Sequence, residues 1–161
     1  MFSILFILVF IIFYIILNLF SQFIFFKKID RSKVSWFSIL IILFSGILIF
    51  SLMYLINNPE LANRYQHAIG GGFLGTLVSY LALRDAKIKL NTLQMILLIG
   101  LIVNTLGIFN EIAEFFFQAN TGFIFNDNLY DTWLDLTSNL FGIILGSALI
   151  TIISKNNEKE N

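Results

Sequence analysis

The last predicted helix of the chain begins with acidic and amide side chains and then becomes apolar. Asp131, Asp135, Asn139, Gly142 and Gly146 recur every three or four residues, so on a helix they form one stripe. A charge within the hydrocarbon region of a membrane costs about 2.5 to 3.5 kcal/mol on insertion scales, and such residues ordinarily face a protein interior. The stripe therefore predicts a functional site buried among helices.

A second predicted helix carries a comparable polar face. Glu111 and Glu114 lie one turn apart, and Asn104 and Gln118 share their side of the helix by the same spacing rule. The two polar stripes are expected to face each other.

A third predicted helix starts with an imidazole, His67, and Arg64 lies in the polar loop before it. At a rise of 1.5 Å per residue, Asp135 lies about 7 Å inside its helix and Glu111 about 10 Å inside its own. Polar groups of three helices are thus expected at a similar depth, in one pocket.

Several carboxylates in one pocket cannot all be ionised without a compensating positive charge, because close like charges raise one another's pKa values. Arg64, His67, protons or a bound cation are the available sources. Carboxylate oxygens with one imidazole form a hard ligand set suited to Mg²⁺, Mn²⁺ or Zn²⁺.

The candidate metal ligands are His67, Glu111, Glu114, Asp131 and Asp135. The candidate catalytic residues are His67, Glu111, Glu114 and Asp135, and the candidate ligand-binding residues are Arg64, Asn104, Gln118, Asp131 and Asn139.

The same residues also allow a structural interpretation. Glu111 or Asp135, protonated or hydrogen-bonded, would then only join helices, at about 1 kcal/mol per bond. His67 would be a solvated residue at a helix end, and Asp131 would interact with the helix dipole. Asp127 and Glu60 are interpreted as solvated loop charges.

Small residues spaced four apart suggest how the helices approach one another. Gly71 and Gly75 occur on the third helix, and Gly142 and Gly146 on the last, with the spacing that favours close packing of membrane helices. The run Gly70 to Gly72 is interpreted as packing and not as a phosphate loop, since no strand precedes it and no lysine follows it.

The composition is that of an integral membrane protein. Of 161 residues, 58% are hydrophobic and 12% are charged, against about 25% charged in soluble proteins. The net charge of zero argues against nucleic acid as a partner, because phosphate binding needs a basic surface. Absence of cysteine excludes disulfides and thiolate ligands.

Hydropathy predicts an all-α bundle of about five transmembrane helices in one domain, residues 1–154, followed by a polar cytoplasmic tail, residues 155–161. Lys and Arg fall mainly in the first loop, the third loop and the tail, so the amino terminus is expected outside and the carboxyl terminus inside. The polar pocket then lies in the outer half of the membrane. No cleaved signal peptide is expected, because the first span lacks a basic start and a small-residue cleavage site. The predicted spans are residues 2–26, 36–56, 67–83, 92–117 and 131–154.

The segments HAIGGGFLG, NEIAEFF and DTWLDLTSNLFGIILG resemble the VanZ-like family of small bacterial membrane proteins and the related YjdF-type inner-membrane proteins. The resemblance covers roughly the last hundred residues and leaves the first span unmatched. It implies a location in the bacterial cytoplasmic membrane and a role in the cell envelope, which in the founding member is low-level resistance to the glycopeptide teicoplanin. The positions that carry it are His67, Gly71, Glu111, Glu114, Asp131, Asp135, Asn139 and Gly142.

Four functions remain open from the sequence. The first is a VanZ-like envelope protein whose pocket binds a cationic, metal-bridged or lipid-linked ligand. The second is a metal-dependent hydrolase or transferase acting on a lipid headgroup, with His67 as general base. The third is a proton- or cation-coupled transporter, which the lack of a clear inverted repeat disfavours. The fourth is a structural subunit. The bilayer is the one partner that all four require.

Overall fold

The computed structural model describes residues 2–122 and 129–159, and within them the side chains of residues 4–122 and 130–154. The described residues are helical, with short connections. Asp127 and the loop segment Phe123 to Phe125 lie outside the described residues. The elements are α1 (Phe2–Phe26), a short 3-10 turn (Arg31–Lys33), α2 (Trp36–Met53), α3 (Pro59–Tyr65), a π-helix (Gln66–Phe73), α4 (Leu74–Asp85), α5 (Thr92–Thr121) and α6 (Leu129–Lys159).

Four helices are long and apolar enough to cross a membrane, namely those containing residues 4–26, 36–53, 92–121 and 130–154. The described residues thus confirm the expectation of an all-α protein, with four helices whose length and composition would allow them to cross a membrane. The predicted span over residues 67–83 corresponds to most of the π-helix and α4, which follow α3 with helical backbone at both junctions. The described residues thus form five helical rods.

Local sequence signals fix the ends of the helices. Ser35 and Asn58 accept hydrogen bonds from backbone amides in the first turns of α2 and α3, as N-cap residues do. Asn91 and Gln94 form a reciprocal capping box at the start of α5. Gly122 ends α5 in the left-handed conformation, with φ of 73°, where a residue with a Cβ would be strained.

The central element of the bundle is α4. Its residues Leu74, Val78, Leu81 and Leu83 are buried, and α4 packs against α1, α2, α5 and α6. Those four surrounding helices expose large apolar side chains on their outer faces. Such an arrangement suits a bundle that contacts lipid on its outside.

The π-helix packs closely against α6. The amide of Leu74 donates to the carbonyl of Ile69, five residues earlier, which is the wide turn of a π-helix. A Cβ added at Gly142 would overlap the carbonyl oxygen of Ala68, and one at Gly146 would lie 2.6 Å from Cγ2 of Thr76. Glycine is therefore required at position 142, where the backbones of the π-helix and α6 meet, and Gly146 leaves space for the Thr76 side chain of α4.

Candidate functional site

Arg64, in the last turn of α3, joins that helix to the start of α6. Its Nη2 donates to a carboxylate oxygen of Asp131, and its Nη1 donates to the carboxylate of Asp135. The same Nη1 lies 3.3 Å from the carbonyl oxygen of Asp131. Burial alone would lower the pKa of the Arg64 guanidinium, but its ion pairs with the two aspartates raise it above the ordinary value. Arg64 is therefore a fixed positive charge.

Asp135 lies at the centre of the site and is only 2% exposed. Its Oδ1 accepts a hydrogen bond from Nδ2 of Asn63 at 3.2 Å and lies 3.4 Å from Nε2 of His67. With the bond from Arg64, one carboxylate oxygen receives three neighbours from α3 and the π-helix. Because α6 supplies the carboxylate, Asp135 joins α6 to the rod formed by α3, the π-helix and α4.

His67 is held on its other side by Asn139. Nδ2 of Asn139 lies 3.5 Å from Nδ1 of His67. The Asn139 amide fits between two glycines, since a Cβ at Gly71 would overlap its Oδ1 and one at Gly107 would lie 3.2 Å from its Nδ2. Small residues on the π-helix and α5 thus leave space for the amide that orients the imidazole.

Glu111 of α5 lies beside His67 and Asp135. It is 8% exposed, and neither of its carboxylate oxygens has a hydrogen-bond partner. Asn110 and Thr132 approach this carboxylate, but neither makes a hydrogen bond of ordinary geometry with it. A buried carboxylate without a partner is costly, so this side chain requires an explanation beyond packing.

His67, Glu111 and Asp135 each offer one ligand atom, and the three atoms lie within 4.8 Å of one another. Two carboxylate oxygens and one imidazole nitrogen on a π-helix, α5 and α6 have the chemistry of a divalent cation site. The described part of the chain contains no other such group of three.

A cavity of about 260 Å³ adjoins the cluster. His67 and Asn139 line it, and so does Glu114, whose Oε1 accepts a hydrogen bond from Asn110 at 2.6 Å. The remaining wall is mainly apolar. It includes Phe6, Val9, Phe10 and Phe13 of α1, Phe50 of α2, and Val103 and Leu106 of α5.

Several residues predicted for the site lie outside the cluster of His67, Glu111 and Asp135. Glu114 faces the cavity and is absent from the cluster formed by Glu111. Asn104 donates to the carbonyl of Gly100 at 2.9 Å, within its own helix. Gln118 lies further along α5, nearly two turns past Glu111. Asn63 was not predicted; its position four residues before His67 was the available signal.

A second polar cluster, also not predicted, lies at the other end of α4. Oδ2 of Asp85 accepts hydrogen bonds from Tyr14 at 2.8 Å and from Ser38 at 2.5 Å. Nδ2 of Asn18 donates to the carbonyl of Ala82 at 3.0 Å. This network joins α1, α2 and α4.

The chain matches no protein-family model, no curated protein and no solved structure.

Proposed function

We propose that this chain is a VanZ-like protein of the bacterial cell envelope that binds a divalent cation in the outer half of the membrane. The observation that carries the proposal is the buried Glu111 carboxylate, which has no hydrogen-bond partner and lies beside His67 and Asp135. A cation held by these three side chains would compensate the negative charge that Arg64 leaves unbalanced.

The donor set narrows the choice of cation. Two carboxylates and one imidazole suit Mn²⁺ and Zn²⁺ better than Mg²⁺, which prefers oxygen ligands and retains several waters. Arg64 already occupies the Asp135 oxygen that faces His67, so Asp135 would ligate through its other oxygen or after Arg64 shifts. Asn139 would hold the imidazole through its second nitrogen.

The proposed orientation is five spans with the amino terminus outside. Lys27, Lys28, Arg31 and Lys33 precede α2, and Arg84, Lys87 and Lys89 surround the end of α4. Both segments lie at the end of the bundle opposite the cation site, and basic residues collect on the cytoplasmic side. The VanZ resemblance remains part of the proposal, and with it a role in glycopeptide resistance or in handling lipid-linked envelope components.

A metal-dependent hydrolase or transferase is the second candidate. The observation that favours it is Glu114, a carboxylate that lines the adjoining cavity without belonging to the three possible ligands. Glu114 would act as general base toward a lipid headgroup bound in the cavity. Activity that persists after complete chelation would exclude this mechanism.

The deciding experiment measures the metal content of the purified protein after equal exposure to Mg²⁺, Mn²⁺ and Zn²⁺. We expect one Mn²⁺ or Zn²⁺ per chain, lost in Glu111→Gln and Asp135→Asn. Glu60→Gln is the matched control, because Glu60 is exposed in the first turn of α3. A wild-type protein without metal, or variants that retain it, would refute the cation site.

A further inference from the structure

The cavity beside the cluster is amphipathic, with its charge at one end. Glu114, Asn110 and Gln66 line that end, whereas α1 contributes only Phe and Val side chains. Ligand pockets commonly combine an apolar wall with a few polar groups that fix orientation. The occupant is thus expected to have a polar head and an apolar body.

The charge expected for the polar head of the occupant follows from the ion pairs near Glu114. Arg64 is shared by Asp131 and Asp135, and among the described side chains no cationic group forms an ion pair with Glu114. Aromatic rings face the same space, and the face of a Phe ring attracts a cation. A positively charged head fits this end, whereas a phosphate would be repelled.

The cavity is open toward the surroundings of the bundle. Phe6, Val9 and Leu106 line it and are 39%, 52% and 43% exposed. They belong to α1 and α5, two helices with the length and composition of membrane spans. An occupant can therefore enter sideways from the bilayer, with its hydrocarbon chain between the two helices.

We infer that the cavity binds a membrane amphiphile with an ammonium head. The head pairs with the Glu114 carboxylate, Asn110 holds that carboxylate in place, and the chain lies against the Phe side chains of α1. This site adjoins the proposed cation site and shares His67 with it, but neither Glu111 nor Asp135 lines the cavity. The two proposals can fail independently.

The test measures binding of dodecylamine by native mass spectrometry to the protein in phosphatidylcholine nanodiscs, with dodecanol and ethylamine as comparison probes. Glu114→Gln is expected to weaken dodecylamine binding about tenfold or more, as loss of a charge-assisted bond does. Val9→Trp, which fills the cavity from its open edge, should have a similar effect. Glu60→Gln and Leu8→Trp are the matched controls, since Leu8 is exposed on α1 and does not line the cavity.

Three results would overturn the inference. Equal binding of dodecanol would remove the role of charge, and displacement by ethylamine at equal concentration would remove the role of the chain. Unchanged binding in Glu114→Gln and Val9→Trp would place the amine elsewhere. Glu111→Gln distinguishes the two proposals, because it should abolish metal binding and leave dodecylamine binding unchanged.

Discussion

The two polar clusters of this bundle differ in how completely their groups are hydrogen-bonded. Around Asp85, the hydroxyls of Tyr14 and Ser38 both donate to one carboxylate oxygen, and Arg84 pairs with the other. Around Asp135, the neighbouring carboxylate of Glu111 has no partner. Both clusters incur the cost of burying polar atoms, but only one of them recovers it fully in hydrogen bonds.

This difference distinguishes the structural role of the Asp85 cluster from the binding role proposed for the cluster of His67, Glu111 and Asp135. A satisfied polar network joins helices and has no capacity left for a ligand. An unsatisfied carboxylate destabilises the protein by about 1 to 3 kcal/mol until something pairs with it. The clusters are separated by about 27 Å along the rod from His67 to Asp85, at 1.5 Å per residue, so each can be altered without touching the other.

Single-cysteine labelling gives the largest contrast between the two ends, because its outcome is all or none. The chain has no cysteine of its own, and Asn57 and Lys89 are exposed in loops at opposite ends of the bundle. With the proposed orientation, Asn57→Cys reacts with an impermeant maleimide in intact cells and Lys89→Cys reacts only after lysis. The reverse pattern would move the proposed cation site to the cytoplasmic side.

Gly142→Ala is expected to cause the largest loss of stability. Its Cβ would overlap the carbonyl of Ala68, and separating the π-helix from α6 should cost about 3 kcal/mol or more of unfolding free energy. Thermal unfolding in detergent measures this loss of stability. Gly100→Ala is the control, because a Cβ there meets nothing within 4 Å, and it should be neutral or slightly stabilising. Equal behaviour of the two variants would contradict the close packing.

Asp85→Ala should destabilise the cation-free protein by about 2 kcal/mol, because two buried hydroxyls lose their acceptor. Chemical unfolding followed by circular dichroism gives the value, with Glu60→Ala as the exposed control. Metal binding should remain intact in this variant. A loss of metal would show that the two clusters are coupled.

Glu111→Leu should stabilise the cation-free protein, whereas Asp85→Ala should destabilise it. Removing an unpartnered buried carboxylate is expected to raise the unfolding free energy of the cation-free protein by about 1 kcal/mol. Wild-type protein should gain further stability from Mn²⁺ or Zn²⁺, as any ligand of the folded state provides, and the variant should not. If Glu111→Leu unfolds more easily without metal, the carboxylate has a partner in the cation-free protein.

The sequence allowed a good prediction of where helices lie. The signals that end and begin helices are local in the sequence. They include the basic segment Lys27 to Lys33 after α1 and the N-cap residues Ser35 and Asn91. Accordingly, α1 ends at Phe26, where its apolar run also ends. Helix ends were less predictable, since α5 continues to Thr121 and α6 to Lys159. Both extensions contain polar residues that are compatible with a helix outside the hydrocarbon region.

The site was only partly predictable, because spacing gives the face of a helix and not its partner. Glu111 and Glu114 share a face, but the structure directs one toward Asp135 and the other toward the cavity. The network around Asp85 was missed although Tyr14, Asn18 and Gln22 recur every four residues along α1. Their polar atoms were obscured by the high hydropathy of that span. Partners 64 and 71 residues away in the chain leave no local pattern.

The π-helix makes the site sensitive to the register of one helical rod. Its wide turn accommodates about one residue more than an α-helix would, between α3 and α4. If the same residues formed a regular α-helix, everything before Gly70 would be turned by about 100° relative to α4. Arg64 and His67 would then face away from α6 while α4 stayed in the core. The one surplus residue of the π-helix thus decides whether Arg64 and His67 face the carboxylates of α6, although it contributes no side chain to the candidate site.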